Sequence, residues 1–223
     1  MLVKELLHTD YEPISSEETA STALRKMKNY GLENVPVIDQ VTSKYLGLVS
    51  KKMMLEHTRE EDTDILTETT QYPVKAYQEQ HLFEAAGIII RNDLEVLPIV
   101  DFENNYLGVL LQKEVYRTIM NMLNLTEIGS VLGIEVEQKD FVLSDIIRII
   151  ETEGAKVLGI AIETPTDTIG RVKISIKLNM TEVAGVTSSL RRHGFVITTE
   201  SRDSLQRREY KERADEFMRY LEI

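Results

Sequence analysis

The chain of 223 residues contains no cysteine. This absence excludes disulfide bonds, thiol nucleophiles and cysteine-ligated metal sites, and it suits a reducing compartment. The sequence also has no apolar run that approaches the roughly 20 residues needed to cross a bilayer. Its opening stretch, Met1–Glu5 and the polar residues that follow, does not have the pattern of a signal peptide. We therefore expect a soluble cytoplasmic protein that has no membrane partner.

Basic residues are scarce relative to acidic ones. The sequence has 26 Lys and Arg against 37 Asp and Glu, which gives a formal net charge of −11. An acidic surface repels phosphate backbones, so we do not expect nucleic acid as a partner. Short basic pairs such as Arg191-Arg192 are typical of solvated helix faces.

The sequence signals of common catalytic and cofactor sites are missing. No G-x-G-x-x-G or G-x-x-x-x-G-K phosphate loop occurs. The four histidines, His8, His57, His81 and His193, have neither metal-ligand spacing nor the neighbours of a catalytic triad. We expect them at the surface or at helix ends. The sequence thus predicts no metal site and no catalytic residue, and an enzyme whose site assembles from distant residues stays an alternative.

An internal repeat is the clearest positive feature. Val35–Asp39 reads Val-Pro-Val-Ile-Asp, and Leu97–Asp101 reads Leu-Pro-Ile-Val-Asp, at an offset of 62 residues. Tyr45–Val49 and Tyr106–Leu110 match at an offset of 61. The one-residue slip falls in a polar loop, where a change of length costs little. Such a repeat indicates two copies of one structural unit.

Each copy has the pattern of a helix, two strands joined by a turn, and a second helix. In the first copy we predict a helix at 17–30, capped by Ser15 or Ser16 and ended by Gly31. The other predicted elements are a strand through Pro36, a strand at 45–50 and a helix at about 51–59, with counterparts around 82–89, through Pro98, at 106–111 and at about 112–123. One copy has too little core to fold alone, so the two should pack together and leave clefts between them.

This order of motifs resembles the cystathionine-β-synthase (CBS) domain. The shared pattern is a helix, h-x-P-V-h-D, a turn, h-G-h-h-[ST]-x-x-D and a helix, and residues 3–14 resemble the family's lead-in. The resemblance covers about 1–123 and implies a first module at 1–62 and a second at 63–125. It also implies an adenosine-containing regulatory ligand, such as AMP, ADP, ATP or S-adenosylmethionine, in a cleft between the modules.

The resemblance places candidate ligand-binding residues in both copies. A purine needs an apolar slot, a ribose diol suits a carboxylate, and a phosphate suits a hydroxyl, helix-start N–H groups and a cation. The candidates are Ile14, Val35, Pro36 and Ser50 in the first copy and Leu97, Pro98 and Glu114 in the second.

The two copies divide the polar motif between them. The first has Ser50 but Met53 at the acidic position, and the second has Glu114 but Leu111 at the hydroxyl position. If a nucleotide binds, we expect one unequal site rather than two equivalent ones. The alternatives are that Ser50 is only a helix cap, that Glu114 is a solvated carboxylate, and that the pair is a protein-interaction scaffold without a ligand.

Beyond residue 129 the pattern predicts a second kind of domain. Strands at 130–136, 157–163, 171–178 and 195–200 and helices at 141–153 and 180–193 give the order β-α-β-β-α-β, typical of a four-stranded antiparallel sheet with two helices on one face. This order resembles the ACT domain over about 130–202. The loop at 138–141 lacks the glycine that amino-acid binders of that family usually carry, so an amino-acid ligand is not expected, and Asp140 is predicted to cap the following helix.

Residues 203–223 are predicted to form a charged C-terminal helix. Tyr210, Ala214, Phe217 and Leu221 make an apolar stripe that either docks on its own protomer or forms a dimer contact. The predicted fold class is mixed α/β (α+β): a CBS pair, a ferredoxin-like ACT-type domain and this helix. The layout resembles small bacterial regulatory proteins of the acetoin-utilisation (AcuB) type. We expect a non-catalytic ligand-sensing homodimer, associating through either domain, that acts on an unidentified protein.

Overall fold

A computed structural model describes residues 1–57, 73–163 and 170–199. The chain divides into two compact units, Met1–Thr118 and Ile119–Ile223. The helix predicted at 203–223 lies outside the described residues. Within the described ranges, no helix combines the length and the apolar character that crossing a bilayer requires.

The first unit contains the two copies of the repeat, each built around a three-stranded sheet. The first copy has β1 (Ile14–Ser15), α1 (Ala20–Tyr30), β2 (Asn34–Ile38), β3 (Tyr45–Ser50) and α2 (Lys51–His57). The second has β4 (Ala76–Tyr77), α3 (Leu82–Asn92), β5 (Val96–Val100), β6 (Tyr106–Leu111) and α4 (Gln112–Met122). The sheet orders are β1-β2-β3 and β4-β5-β6, with a parallel first pair and an antiparallel second pair. The predicted repeat is confirmed.

The start of α1 differs from the prediction. The helix begins at Ala20 rather than Glu17, and the Thr19 hydroxyl, not Ser15 or Ser16, caps it by accepting from the backbone N–H of Thr22 at 3.3 Å. The reason is tertiary, because Ser15 is held extended by parallel pairing with β2. The predicted helix end is confirmed, since Gly31 adopts a left-handed φ of 66°.

Both faces of each sheet are buried. In β2, Val35 and Val37 point to one face and pack with Ile14, Ala23 and residues of α2. Pro36 points to the opposite face, and it is buried as well. Strand β2 contacts β5 of the other copy, so the sheets of the two modules cover each other. This double burial explains why the strands read as continuous apolar runs.

The hairpin turns of the two modules bind each other reciprocally. The backbone N–H of Tyr45 donates to the carbonyl of Asn104 at 3.0 Å, and that of Tyr106 donates to the carbonyl of Ser43 at 3.2 Å. An antiparallel bridge joins Lys44 to Asn105 at the centre of the contact. The modules are thus related by a local pseudo-twofold axis through the turns.

The motif aspartates build these turns. The Asp39 carboxylate accepts from the N–H groups of Val41 and Thr42 at 3.1 and 2.7 Å, and Asp101 accepts from Glu103 and Asn105 at 2.9 and 2.8 Å. The side chain of Thr42 lowers the pKa of Asp39, and that of Asn105 lowers the pKa of Asp101, because these hydrogen bonds favour the ionised carboxylate. The aspartate of the repeated motif is therefore structural.

The second unit has the predicted β-α-β-β-α-β order. Its elements are β7 (Val131–Glu137), α5 (Leu143–Thr152), β8 (Val157–Glu163), β9 (Arg171–Leu178), α6 (Ala184–Arg192) and β10 (Val196–Thr199). The antiparallel sheet has the order β10-β7-β9-β8. Alternate residues of β7 and β9 form one core with both helices, including Leu132, Ile134, Ile174, Ile146 and Leu190. Both helices therefore lie on one face, as predicted.

The predicted cap of α5 is wrong. Asp140 ends a short 3-10 helix at Gln138–Asp140, and α5 begins at Leu143 without a side-chain cap. The extra turn exists because the N–H of Gln138 is bound to the carbonyl of Gly170 at 2.7 Å, which sequence spacing does not reveal.

Candidate functional site

The candidate residues of the first module lie together on its small sheet. Ile14 and Val35 have 0% and 1% of their surface exposed, so their side chains belong to the core. Ser50 ends β3 opposite Asn34, and its Oγ accepts from the N–H of Met53 at 3.2 Å. The hydroxyl therefore already performs the helix-capping role that the sequence left as an alternative.

The candidates of the second module occupy the matching places. Leu97 is fully buried, and Pro98 is buried opposite Val109. Glu114 lies in the first turn of α4, directly after β6, with 28% of its side chain exposed. Glu114 is a first-turn carboxylate, as the alternative of a solvated helix-start residue has it, but most of its surface is shielded.

The shielding comes from the lead-in segment, residues 3–14. The N–H of His8 donates to the carbonyl of Val109 at 2.9 Å, and the N–H of Val109 donates back to the carbonyl of His8 at 3.0 Å. Gly108 permits this approach, because a Cβ there would lie 2.3 Å from the carbonyl oxygen of His8. The glycine of the repeated Tyr-Leu-Gly motif thus allows the lead-in segment to pair with β6.

The pairing of the lead-in segment with β6 places a histidine, His8, beside the motif carboxylate of Glu114. The imidazole Nε2 of His8 hydrogen-bonds to Oε2 of Glu114, and Nδ1 lies 3.6 Å from Oδ1 of Asp10. We expect His8, like the other histidines, at the surface or at a helix end, whereas only 28% of its side chain is exposed and it has a carboxylate partner. No motif could have revealed the pair, because 106 residues separate the two. His81, by contrast, is at a helix end as predicted, where Nδ1 accepts from the N–H of Phe83.

Two tyrosines, buried Tyr45 and half-buried Tyr106, connect each module to the segment that enters the other. The Tyr45 hydroxyl donates to the carbonyl of Val74, just before β4, at 2.9 Å. The Tyr106 hydroxyl donates to the carbonyl of Tyr11, just before β1, at 3.2 Å. Burial raises the pKa of both phenols far above their ordinary value, so both act as neutral donors. The repeated tyrosine therefore has a structural role, since in each module it hydrogen-bonds to the segment that enters the other module.

The start of α2 borders an open cavity of about 450 Å³ lined by Glu33, Lys51, Lys52, Leu55 and Glu56. The Lys51 ammonium is 2.9 Å from the Glu33 carboxylate, so its charge is already paired. Lys52 is exposed at the cavity wall. The cavity therefore offers mixed charge next to Ser50.

The second unit carries two open cavities at one end of its sheet, of about 580 and 410 Å³. They share Glu137 and Arg171, and the smaller one also reaches Asp140 and His193. The Lys139 ammonium is 2.8 Å from the Glu137 carboxylate and lowers the pKa of that carboxyl. The charged groups here are largely paired with one another.

In the described part of the chain, no group of three or more His, Cys, Asp or Glu side chains is arranged to hold a metal ion.

Comparisons with known proteins give the family. The family model described as "CBS domain" matches residues 3–60 and 63–121, which is more than half of the chain. Inosine-5′-monophosphate dehydrogenase from Methanocaldococcus jannaschii is 24% identical over 115 residues, which are 51% of this chain but only 22% of that enzyme.

The chain is also similar to solved structures, and the first of these shares its fold. A CBS domain pair/ACT domain protein from Thermotoga maritima superposes with a TM-score of 0.51 at 20% identity, covering 55% of this chain and 99% of that one. A protein called CBSX2, solved in complex with AMP, has a TM-score of 0.47 at 18% identity, covering 54% of this chain and 96% of that one. With two family-model matches on the two halves of the repeat, the chain belongs to the CBS domain family.

Proposed function

We propose that this is a non-catalytic regulatory protein whose CBS pair binds an adenosine-containing ligand, namely AMP, ADP, ATP or S-adenosylmethionine. The observation that carries the proposal is the family match to both modules. The ligand class is the one that the family resemblance implies, and the Glu114 carboxylate is the group that could bind the ribose of such a ligand. We place the protein in the cytoplasm, which suits a chain without cysteine.

The second module is the better candidate for the ribose. A carboxylate accepts about four hydrogen bonds in total. His8 occupies Oε2 of Glu114, and among the described residues no side chain or backbone group hydrogen-bonds to Oε1. That oxygen is free to accept a hydrogen bond from a ribose hydroxyl, while His8 holds the carboxylate in one orientation. Groups that hydrogen-bond to the ligands of a metal ion orient those ligands in the same way.

The first module is the weaker candidate. Its acidic motif position holds Met53, which packs on the module core, and the Ser50 hydroxyl is occupied as a helix cap. A nucleotide there would have to share that hydroxyl and would find no carboxylate in the motif. We therefore propose one dominant site, at the second module, and not two equal ones.

A thermal-shift and calorimetry series tests the proposal. The full chain is titrated with AMP, ADP, ATP and S-adenosylmethionine, with guanosine monophosphate as the base control. A ligand at about 100 times its Kd adds roughly 2.7 kcal/mol to the free energy of unfolding, and the melting temperature rises accordingly. A shift with an adenosine compound at one site per chain supports the proposal.

Glu114→Ala tests the assigned residue, and Glu103→Ala is the matched control because Glu103 is an exposed carboxylate of the same module. We expect the first variant to lose the ligand-induced shift and the second to keep it. If no adenosine compound at millimolar concentration shifts the wild-type protein, the sensor proposal is wrong. The alternative is then a protein-interaction scaffold, favoured by the Ser50 hydroxyl that already caps α2 and by the divided motif. Turnover of a nucleotide would instead indicate an enzyme.

For the second unit we propose an ACT-like role in assembly or regulation. The support is its β-α-β-β-α-β order and its sheet order β10-β7-β9-β8. Ligand binding in the CBS pair regulates a partner only if the ligand binds one arrangement of the protein better than another. A matching measurement is hydrogen exchange of the second unit with and without the ligand, where changed protection supports the coupling.

A further inference from the structure

The four-stranded sheet of the second unit has one face that its helices do not cover. Helices α5 and α6 pack on the face that carries Leu132 and Ile174. Residues directly opposite one another on antiparallel strands share a face, and successive residues of a strand point to opposite faces. The register therefore places Gly133, Ser175 and Ala161 together on the other side. We call this side the outer face.

The middle of the outer face is small and uncharged. Ala161, Ser175 and Gly133 form a row across β8, β9 and β7. On the same face, Val131 and Val196 have 37% and 60% of their surface exposed. A sheet face that meets water normally carries outward-pointing polar side chains. An uncharged middle with exposed valines beside it instead indicates a surface that another element covers.

The row of small residues is the floor of a trough. At one end of the strands, the carbonyl oxygen of Leu123 lies 2.6 Å from the position that a Cβ would take at Gly159, so the backbone of residue 123 lies against the sheet there. Towards the other end, Lys173 of β9 lies opposite Glu135 of β7 and Glu163 of β8. The trough between these two borders runs across the four strands, over about 14 Å.

The sequence supplies an apolar stripe of matching length. In the helix predicted at 203–223, Tyr210, Ala214, Phe217 and Leu221 follow the spacing i, i+4, i+7 and i+11, so they share one side of that helix. From the first to the last of them a helix rises about 16 Å. The stripe is therefore long enough to fill the trough from edge to edge.

The position of the stripe in the chain favours its own sheet as the binding surface. Strand β10 ends at Thr199 and is an edge strand of the sheet. The ten residues 200–209 separate it from Tyr210 and can span up to about 33 Å, which is more than the width of the outer face. A short tether of this kind holds the stripe at a millimolar effective concentration. The stripe of the same chain therefore competes well against that of a second copy.

We propose that the segment 203–223 docks on the outer face of its own second unit, with the stripe in the trough. Tyr210 and Phe217 are its anchors, because an aromatic side chain removes about 150–250 Å² from water when it is buried. The docked segment covers Val131 and Val196. A partner that binds the outer face then has to displace the segment first.

A site-specific cross-link tests the proposal directly, because the full chain contains no cysteine. The double variant Ser175→Cys/Ala214→Cys puts one thiol in the middle of the trough and one in the middle of the stripe. Ser188→Cys/Ala214→Cys is the matched control, since Ser188 is exposed on α6, which packs on the opposite face. With a short bis-maleimide, we expect the first pair to link within one chain at least about tenfold faster than the control, because docking holds its two thiols together.

The single-cysteine variants distinguish one chain from two. A mixture of Ser175→Cys and Ala214→Cys chains should give no linked product above the background of a mixture of Ser188→Cys and Ala214→Cys. A linked dimer from the first mixture would show that a second copy covers the outer face, and it would overturn the proposal. Equal rates for the two double variants, or no link in either, would overturn it as well.

A further substitution tests the anchor. Phe217→Ser, added to the Ser175→Cys/Ala214→Cys variant, should slow the internal link to the rate of the control pair. Val41→Ser removes a side chain that is 86% exposed in the first unit, and it should leave the rate unchanged. Circular dichroism checks that each variant is folded. An internal link that forms equally fast with Phe217→Ser would contradict docking through the stripe.

Discussion

The contact between His8 and Glu114 gives the sharpest prediction, because it joins the lead-in segment to the motif carboxylate. A hydrogen bond to a charged group contributes about 1.5–3 kcal/mol. Each side chain is 28% exposed, so water competes for the contact and reduces its contribution to the lower end of that range or somewhat below it. We therefore expect a coupling free energy of about 1–2 kcal/mol between the two side chains.

A double-mutant cycle measures this coupling. His8→Ala, Glu114→Ala and the double variant are compared with the wild type by urea unfolding of the full chain, followed by far-ultraviolet circular dichroism. His8→Ala keeps the backbone pairing with Val109, so the cycle reports the side-chain contact alone. The double variant should lose about 1–2 kcal/mol less than the sum of the singles.

The same variants separate structure from ligand binding. If His8 only orients Glu114, His8→Ala should weaken binding of an adenosine ligand about three- to tenfold, whereas Glu114→Ala should abolish it. Free energies that add within about 0.5 kcal/mol would refute the coupling. Tighter ligand binding by His8→Ala would refute the orienting role, since it would show that His8 competes with the ligand for the carboxylate.

Three further predictions concern the frame of the pair. Gly108→Ala should destabilise the protein by about 2 kcal/mol, measured by calorimetry. The added Cβ would lie 2.3 Å from the carbonyl oxygen of His8 and would break two backbone hydrogen bonds. Gly154→Ala, where φ is 82° but no atom lies near the added Cβ, has the backbone strain without the clash and should cost less. The pKa values of Asp39 and Asp101 are lowered in the folded state, so the stabilisation by these carboxylates is present above their unfolded pKa and is lost as pH falls through the folded pKa. The melting temperature of the double variant Asp39→Asn/Asp101→Asn should therefore fall less between pH 6 and pH 3 than that of the wild type. Tyr45→Phe should cost about 1–2 kcal/mol in urea unfolding, because the partly buried carbonyl of Val74 loses its donor. An unchanged midpoint would contradict the structural role of this hydrogen bond.

The sequence alone determined the repeat and the order of elements. Strands β3, β6, β8 and β9 begin and end where the alternation and turn residues predict, since these signals are local. Gly31 ended α1 for the same reason, because a left-handed residue is a property of one position. The sequence also shows directly that the motif is divided, with Ser50 in one copy and Glu114 in the other.

Tertiary structure decided what those motif residues do. Strand pairing moved the start of α1 past Ser15, and a backbone bond from Gln138 displaced the start of α5. The partner of Glu114 is His8, which lies 106 residues away in the sequence. The two side chains meet because Gly108 has no side chain to block the lead-in segment from pairing with β6. Periodicity and capping rules describe neighbours along the chain, whereas such contacts depend on which surfaces the fold brings together. The repeat therefore predicts the two modules and their unequal motifs, and only the tertiary packing shows which groups the motif residues contact.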